Sequence, residues 1–381
     1  MNLKRIGLDT SKAVFTLHGV DHDEKAVLRR NMRRAEMEAF FAQLASTHVA
    51  LEACGGSHHW GRKLAAMGHT VQLIPPQYVK PFVRRGKNDR NDAEAISEAA
   101  VRPDMPSVPV KSAEQQAGPI VLSARELLVR QRTQLINAVR GHAAEFGVIA
   151  AKNISQLPGL LEAVAAAETV PATAKEMLVF LSAQVAQLDE QIAGLERRMK
   201  QQHKASPVSQ LLAEVPGIGP ISALSLALTI DPGRFQSGRH FAAWLGLTPK
   251  EHSTGGRQRL GGISRAGNER LRQLLVLGAT TVIRFAKPGS KSASARLLAL
   301  LERKPRKLAA VALANKMARI VWAMMATGEA YRGSKKGRRA GGRGCRGRLT
   351  PLASAWVQKE LQEMMIGRAD EQDTPCVAQA S

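Results

Sequence analysis

Aromatic residues are scarce in this 381-residue chain, where Phe, Trp and Tyr together make up 4%. So few aromatic side chains exclude base stacking as the main mode of binding, should the partner be a nucleic acid. Cysteine is also rare, with only Cys54, Cys345 and Cys376 at scattered positions. Their odd number and their spacing exclude a disulfide framework and a zinc site, and they fit a reducing cytoplasm.

Acidic residues are in short supply as well. The chain has 32 Asp and Glu against 55 Lys and Arg, which gives a formal net charge of +23. Such a charge indicates a polyanionic partner, which is more commonly nucleic acid than an anionic membrane surface. We expect no membrane association, because the N-terminus lacks a signal-like apolar stretch and the most apolar late segment, residues 308–326, contains Lys316 and Arg319.

Hydrophobic residues make up 44% of the chain, which predicts two or three domains with cores of their own. Residues 1–110 contain a pair of strand patterns followed by alternating strand and helix patterns, which predicts a mixed sheet covered by helices. Residues 206–330 have mostly helical patterns. Residues 331–381 form a basic tail, in which residues 332–348 hold eight Lys and Arg with six glycines, and we expect this tail to be disordered.

Long helices are predicted between these regions, over residues 111–205. Apolar residues there alternate spacings of three and four, a heptad seam formed by Leu178, Leu181, Val185, Leu188, Ile192, Leu195 and Met199. A heptad seam is typical of a coiled coil. It fits a helix hairpin within the chain equally well.

Four acidic residues are candidates for a functional site, because acidic residues are few in this basic chain. Asp9 and Glu52 each stand at the polar end of an apolar strand pattern, and Asp89 and Asp92 lie three apart in the helical stretch KNDRNDAEAI. Taken alone, Asp89 and Asp92 are more simply interpreted as surface charges. Burying a carboxylate at the end of a strand costs free energy unless a positive charge or a hydrogen-bond donor pairs with it. If the two strands are neighbours, Asp9 and Glu52 would lie together at one edge of the sheet.

Such a cluster of carboxylates suits Mg²⁺ or Mn²⁺, which prefer oxygen ligands. Two ions about 3.5–4 Å apart could clamp a phosphodiester at its attacking and leaving oxygens. The basic residues Arg84, Arg85 and Lys87 precede the second pair of acids and would then serve as phosphate contacts.

The second half offers two further candidates. The stretch VPGIGP, with Gly217 and Gly219, suggests a helix-hairpin-helix turn whose backbone N–H groups grip a DNA phosphate, although a tight turn between two helices fits as well. Ser253 precedes a Gly-Gly pair in an open turn. Arg257, Arg259 and Arg265 lie close by and suit attack on phosphate, since guanidinium groups bind its non-bridging oxygens. From these residues alone, a phosphate-binding loop without chemistry is the preferred interpretation.

The stretches GLDTSK, LEACGG and KNDRNDAEAI resemble, in order and spacing, the Asp–Glu–Asp–Asp motifs of the insertion-sequence transposase family numbered one hundred and ten, which includes pilin-gene inverting recombinases. The resemblance extends to about Gly328. It implies an α/β N-terminal domain of RNase H-like (RuvC-like) fold, joined by the long helices to a mostly α C-terminal domain. It also implies that the four acids hold Mg²⁺ or Mn²⁺ and that Ser253 is a nucleophile, with Thr254 as the alternative.

The function implied by this resemblance is recombination of a bacterial mobile element in the cytoplasm, at the nucleoid. DNA would be cut and rejoined through a phosphoseryl link, guided by a structured RNA encoded by the element, in a dimer or tetramer. Two alternatives remain open. One is a RuvC-type nuclease in which water attacks and Ser253 only binds phosphate, and the other is a nucleic-acid-binding protein without catalysis.

Overall fold

The computed structural model of the chain describes residues 3–84, 88–151, 154–287 and 294–332. Beyond Arg332, the tail that the sequence predicts to be disordered lies outside the described residues. The chain divides into two compact units, Met1–Ala117 and Gly118–Ser381. Arg62 donates hydrogen bonds to the Lys111 carbonyl oxygen and to Gln116 Oε1, both at 2.7 Å, so residues after 110 pack with the first unit.

Unit 1 is built on a five-stranded mixed sheet. Its strands are β1 Arg5–Asp9, β2 Val14–Val20, β3 Ala26–Arg33, β4 His48–Glu52 and β5 Thr70–Ile74. Their order across the sheet is β3-β2-β1-β4-β5. The first three strands form an antiparallel meander, whereas β4 and β5 run parallel to β1. The mixed sheet predicted from the sequence is therefore present, with β3 as a strand that the pattern did not predict.

The helices of unit 1 cover both faces of this sheet. They are α1 Met37–Ala42, α2 Ser57–Ala66, α3 Pro76–Val79, α4 Asp89–Ala99 and α5 Ala113–Ala117. Because side chains alternate along a strand, Val49 and Leu51 of β4 pack into one core with Trp60, while Ala50 packs into the other with Ile96. A strand buried on both faces explains the continuous apolar run in β4.

Gly7 allows α4 to lie directly on β1. A Cβ at this position would stand 2.2 Å from the Ala93 carbonyl oxygen and 2.6 Å from the Ser97 backbone nitrogen, so only glycine fits. The buried Arg5 side chain adds a second connection, because its Nε donates to Ser97 Oγ at 3.3 Å. These contacts place the first turn of α4 beside the end of β1.

Unit 2 is mostly helical. Its helices are α6 Ile120–Glu145, α7 Leu157–Ala166, α8 Ala172–Ala205, α9 Pro207–Leu212, α10 Pro220–Thr229, α11 Gly238–Trp244, α12 Glu269–Arg284, α13 Ala295–Arg303 and α14 Arg306–Thr327. Two short antiparallel strands, β6 Pro249–Glu251 and β7 Leu260–Ile263, form a hairpin in a region that the sequence predicted to be mostly helical, with an open turn at the Gly-Gly pair but no strands.

The heptad seam lies on α8, which packs lengthwise against α6. Every second position of the seam is buried, namely Leu178, Val185, Ile192 and Met199. Ion pairs also join the two helices, with Arg132 Nη1 2.6 Å from Asp189 and Arg125 Nε 2.9 Å from Glu196. The seam thus has a partner within the chain, while a coiled coil between chains stays a prediction.

Helix α14 is the core helix of the C-terminal part of unit 2. Among the described residues it is the one helix whose length and apolar composition would suffice to cross a membrane. Its buried residues include Ala314, Met317 and Val321, which belong to the largest hydrophobic cluster of unit 2 together with Leu271 of α12 and Phe241 of α11. The apolar composition of α14 therefore reflects burial against neighbouring helices.

Candidate active site: an acidic cluster and a serine hairpin

The first two acids lie side by side at the carboxyl edge of the sheet. Strands β1 and β4 are parallel neighbours with Leu8 paired to Leu51, so the residues that follow, Asp9 and Glu52, meet at the ends of the two strands. Both side chains are half-buried. This is the juxtaposition that the strand patterns predicted.

The second pair of acids comes from the first turn of α4. Asn88 caps this helix by accepting a hydrogen bond from the Arg90 backbone N–H, which fixes where the first turn begins. Carboxylate oxygens of Asp9, Asp89 and Asp92 all lie within 4.8 Å of one another. Glu52 stands outside this trio but near enough for its charge to act on Asp9. The structure thus brings three of the acids together and places Glu52 at the neighbouring strand end beside Asp9.

The cluster carries strong electrostatic repulsion. Burial raises the pKa of the Asp9 carboxyl from 3.8 to about 6, and the negative charges of Asp92, Asp89 and Glu52 add to this effect. Burial also raises the pKa of Glu52, with Asp92 as the second cause. In the described part of the chain, none of these four carboxylates forms a salt bridge with a basic side chain.

A divalent cation fits this donor set. Three of the carboxylates converge, all offer hard oxygen ligands, and their charge has no neutralising partner among the described side chains. The α4 N-terminus adds a partial positive charge that stabilises Asp89 and Asp92 only in part, since helix dipoles contribute about 0.3–1 kcal/mol. The acidic cluster therefore indicates a divalent metal site.

The basic residues near the acids are described only in part. Arg84 is exposed and pairs with two carboxylates of α4, with Nη2 3.1 Å from Glu94 and 3.7 Å from Glu98. A phosphate contact through Arg84 would have to compete with these ion pairs. Arg85 and Lys87 lie outside the described residues.

Ser253 lies on the hairpin formed by β6 and β7. Gly255 and Gly256 have φ values of +55° and +74°, and Thr254 and Arg257 exchange backbone hydrogen bonds across them. This is the two-residue turn that suits a β-hairpin, since both central residues need positive φ. The open turn predicted around the Gly-Gly pair is therefore a defined hairpin tip.

The Ser253 hydroxyl is held on both sides. Its Oγ donates a hydrogen bond to the Glu251 carboxylate at 2.8 Å and accepts one from the Arg259 backbone N–H at 3.2 Å. Thr254 differs, because its hydroxyl makes no hydrogen bond within the described ranges. Glu251 was not singled out from the sequence, and its position two residues before Ser253 becomes informative only once the chain is known to be extended there.

The arginines that follow the serine fall into two groups. Arg257, Arg259 and Arg265 are solvent-exposed, and Arg265 has a left-handed backbone with φ of +57°. Arg270 and Arg272 instead serve the fold. Arg270 pairs with Glu126 at 3.5 Å, and the buried Arg272 donates to the Leu245 and Ala266 carbonyl oxygens at 3.0 and 2.7 Å.

The two glycines of VPGIGP differ in environment. Gly217 has φ of +88° and packs against α12, since a Cβ there would stand 2.7 Å from the Gly278 carbonyl oxygen. Gly219 is exposed and caps the N-terminus of α10, where free backbone N–H groups could receive a phosphate. Helix packing accounts for Gly217, while a DNA contact at this turn stays a prediction.

Comparison with known proteins identifies the chain's relatives. Residues 6–147 match a transposase family of the DEDD, IS110 type, and residues 209–295 match the transposase family IS116/IS110/IS902. A DEDD transposase domain has an RNase H-like fold, in agreement with the mixed sheet of unit 1.

Several curated proteins are similar over most of the chain. The protein y4pF/y4sB of Sinorhizobium fredii, described as a transposase, is 52% identical over 86% of this chain and 85% of its own length. The transposase for insertion sequence element IS1111A of Coxiella burnetii is 40% identical over 87% of this chain and 92% of its own. More distantly, the pilin gene-inverting protein of Moraxella bovis is 25% identical over 74% of this chain and 84% of its own. The chain is therefore a member of the IS110 family of insertion-sequence transposases.

Proposed function

We propose that this transposase cuts and rejoins DNA through a metal-assisted attack by Ser253, with Asp9, Glu52, Asp89 and Asp92 as the metal ligands. The observation that carries the proposal is the convergence of Asp9, Asp89 and Asp92 within 4.8 Å without a neutralising basic partner among the described residues. A divalent cation bound by these carboxylates would neutralise their charge and could itself bind a DNA phosphate.

The four acids come from two strand ends and one helix turn, so the scaffold holds them rigidly. Mg²⁺ or Mn²⁺ bound there would supply positive charge to the non-bridging oxygens of the scissile phosphate. The half-buried position of Asp9 excludes much of the surrounding water and strengthens its electrostatic interactions.

Ser253 is the better candidate for the nucleophile. Its hydroxyl proton is directed toward Glu251, one oxygen lone pair accepts from Arg259 N–H, and the other lone pair is available for attack. The Thr254 hydroxyl has no such partners among the described residues. Attack on the phosphorus by Ser253 would form a 5′-phosphoseryl link and release a 3′-hydroxyl, and the reverse reaction with another 3′-hydroxyl would rejoin the strand.

The exposed Arg257, Arg259 and Arg265 would bind phosphate oxygens around the reacting group, with Arg84, Arg85, Lys87, Gly217 and Gly219 as further backbone contacts. A formal charge of +23 with few aromatics agrees with binding dominated by phosphate contacts. Sequence choice would then come from base pairing with a structured RNA encoded by the element. We place the reaction at the nucleoid, in a dimer or tetramer that holds two duplexes.

The test is strand exchange between element-end and target DNA by the full chain, with the element's transcribed ends and Mg²⁺. Asp9→Asn, Glu52→Gln and Asp92→Asn should each abolish joined product while nucleic-acid binding stays within about twofold of the wild type. Asp23→Asn is the matched control, since this carboxylate is 76% exposed and follows β2 at the end of the sheet opposite Asp9.

The other outcomes separate the alternative functions. Strand exchange retained in any of the three variants would contradict the metal site. Nicked DNA with free ends and no joined product would favour a nuclease that uses water. Binding without any change in the DNA, with or without Mg²⁺, would favour a non-catalytic role.

A further inference from the structure

We propose that Glu251 is the proton acceptor for Ser253, a role that rests on the proposed function of Ser253 as nucleophile. Serine attacks phosphate poorly unless a neighbouring group takes its proton. In this structure the Ser253 Oγ donates to a carboxylate oxygen of Glu251 at 2.8 Å, a distance within the range for proton transfer between oxygens.

The hairpin explains why these two residues meet. Side chains two apart on an extended chain point to the same side, so Glu251 at the end of β6 lies beside Ser253. The chain that returns along the hairpin supplies a second hydrogen bond, because the Arg259 N–H donates to Oγ at 3.2 Å. The serine hydroxyl is thus oriented by one acceptor and one donor, both on the same hairpin.

The proton balance of the step is complete. As the bond between Oγ and phosphorus forms, the Oγ proton passes to the Glu251 carboxylate, and the bond between phosphorus and the 3′-oxygen breaks. The 3′-oxygen takes up a proton from water and leaves hydroxide, so the products are a phosphoserine diester and a 3′-hydroxyl. In the rejoining step the attacking 3′-hydroxyl gives its proton to hydroxide, the bond between phosphorus and Oγ breaks, and Glu251 returns its proton to Oγ. The Arg259 N–H stabilises the negative charge that develops on Oγ during both steps.

His252 is a less suitable acceptor. Its backbone N–H donates to the Arg259 carbonyl oxygen, and its ring makes no hydrogen bond to Ser253 in the part of the chain that the structure describes. The neighbouring position of His252 in the sequence therefore does not translate into contact with the serine hydroxyl.

The experiment measures the single-turnover rate of the covalent adduct between full-length protein and element-end DNA with Mg²⁺. Glu251→Gln keeps an oxygen acceptor for the serine but removes the base, and should slow the adduct about 10²–10⁴-fold with DNA affinity within about twofold. Glu251→Ala should be slow as well, and added formate should restore its rate at least about tenfold. Glu190→Ala, which removes an exposed carboxylate on α8, is the control and should match the wild type.

Three results would overturn the role of Glu251. These are a Glu251→Gln rate within about threefold of the wild type, a loss of rate that parallels a loss of DNA binding, and a Glu251→Ala variant that does not respond to formate. The absence of any adduct in the wild-type protein would instead overturn the proposed function itself, and the role of Glu251 with it.

A separate observation concerns a cleft in unit 2 between the hairpin and helices α13 and α14. The cleft has a volume of about 890 Å³ and a floor of aliphatic side chains that includes Leu247 and Leu300. Among the described residues that line it, none is acidic and six are basic, namely Arg265, Arg296, Arg303, Lys307, Lys316 and Arg319. None of the six forms a salt bridge within the described ranges.

We infer that this cleft binds a single strand of DNA. Six like charges around one cleft repel one another unless a polyanion is bound. A volume of about 890 Å³ is too small for a duplex but admits a few nucleotides, with phosphates toward the basic rim and sugars and bases toward the aliphatic floor. Gly261 and Gly262 of β7 form one wall, so a strand in the cleft would run along the hairpin that carries Ser253.

The test compares two triple variants of the full chain in binding a 30-nucleotide single strand of mixed sequence. Arg296, Arg303 and Lys307 changed to Gln should weaken binding at least about tenfold and reduce the slope of log K against log salt by about 2, at about 0.7 per phosphate contact. The control changes Arg197, Lys200 and Lys204 of α8 to Gln, which removes the same charge from a solvent-exposed helix face.

Equal losses of affinity in the two triple variants would show a general charge effect and contradict the cleft as the binding site for the strand. An unchanged salt slope in the cleft variant would do the same. RNA of the same sequence is a second arm, and a loss confined to RNA would also contradict the inference of a DNA strand.

Discussion

Replacing Asp9 by Asn should make the metal-free protein more stable. The structure raises the pKa of Asp9 from 3.8 to about 6 through burial and through the charges of Asp92, Asp89 and Glu52. The folded protein therefore favours the protonated, neutral form of this carboxyl. Asparagine has nearly the same shape and no charge, so it removes the repulsion without leaving a cavity.

The sign of the effect follows from proton linkage. A folded-state pKa above the unfolded value means that the folded protein binds more protons between pH 3.8 and about 6, so stability falls as pH rises through this window. The full difference corresponds to roughly 3 kcal/mol at about 1.36 kcal/mol per pKa unit. Water around the half-buried carboxyl screens part of it, so we expect the Asp9→Asn variant to gain about 1–3 kcal/mol at pH 8.

The assay is thermal unfolding of the full chain in EDTA. A gain of about 1–3 kcal/mol raises the melting temperature of the transition that reports unit 1 by roughly 3–12 °C at pH 8. At pH 4.5 the difference should shrink to about one third, because the wild-type carboxyl is then largely protonated. Mg²⁺ should raise the melting temperature of the wild type, since ligands that bind only the folded state stabilise it, and should leave Asp9→Asn unchanged.

An Asp9→Asn variant that is no more stable than the wild type in EDTA at pH 8 would contradict charge repulsion at the acidic cluster. A stability difference that grows as the pH falls would contradict it as well. Equal stabilisation of both proteins by Mg²⁺ would place the ion elsewhere.

Three further predictions concern packing. Gly7→Ala should push α4 away from β1, destabilise unit 1 by about 1–3 kcal/mol and weaken the stabilisation by Mg²⁺. The control is Gly141→Ala, in an open position on α6, whose free energy of unfolding should rise by about 0.5–1 kcal/mol in the same assay. Gly278→Ala would place a Cβ 2.0 Å from the Gly217 carbonyl oxygen and should destabilise unit 2 by about 1–3 kcal/mol in denaturant unfolding; a neutral effect would contradict this packing. Arg272→Lys should lose at least one of two buried hydrogen bonds and cost about 1–3 kcal/mol, with faster amide exchange in residues 264–268 as the local measure.

The acidic cluster was predictable because its signal is local to each strand. An acid at the end of an apolar strand can be recognised in the sequence, and neighbouring parallel strands end at the same edge, so Asp9 and Glu52 were expected together. The close approach of α4 had a sequence signal too, since a glycine within an apolar strand such as Gly7 marks a place where another backbone comes near.

Strand β3 was missed because it is an edge strand. Only Leu28 and Met32 are buried among its eight residues, so the sequence shows neither an apolar run nor clear alternation. The hairpin that carries Ser253 was missed for a similar reason. All three residues of β6 are exposed, and Gly255 with Gly256 is the only local signal of a two-residue turn.

The partner of the heptad seam on α8 could not be predicted from the sequence. Its spacing predicts a helix with one apolar stripe, but the spacing alone does not specify which surface covers the stripe. The pairing with α6 depends on tertiary contacts such as those between Arg132 and Asp189, which are 57 positions apart in the chain. Glu251 was overlooked as a partner of Ser253 because its role depends on the hairpin geometry.

Mass-spectrometric mapping of the covalent adduct between the full chain and element-end DNA in Mg²⁺ would show directly which residue attacks the DNA. We predict a 5′-phosphonucleotide on Ser253 that is lost in Ser253→Ala and in Asp92→Asn and kept in Thr254→Ala. An adduct on Thr254, an adduct formed equally well by Asp92→Asn, or cleaved DNA with no protein attached would each contradict a serine nucleophile that acts with the acidic cluster.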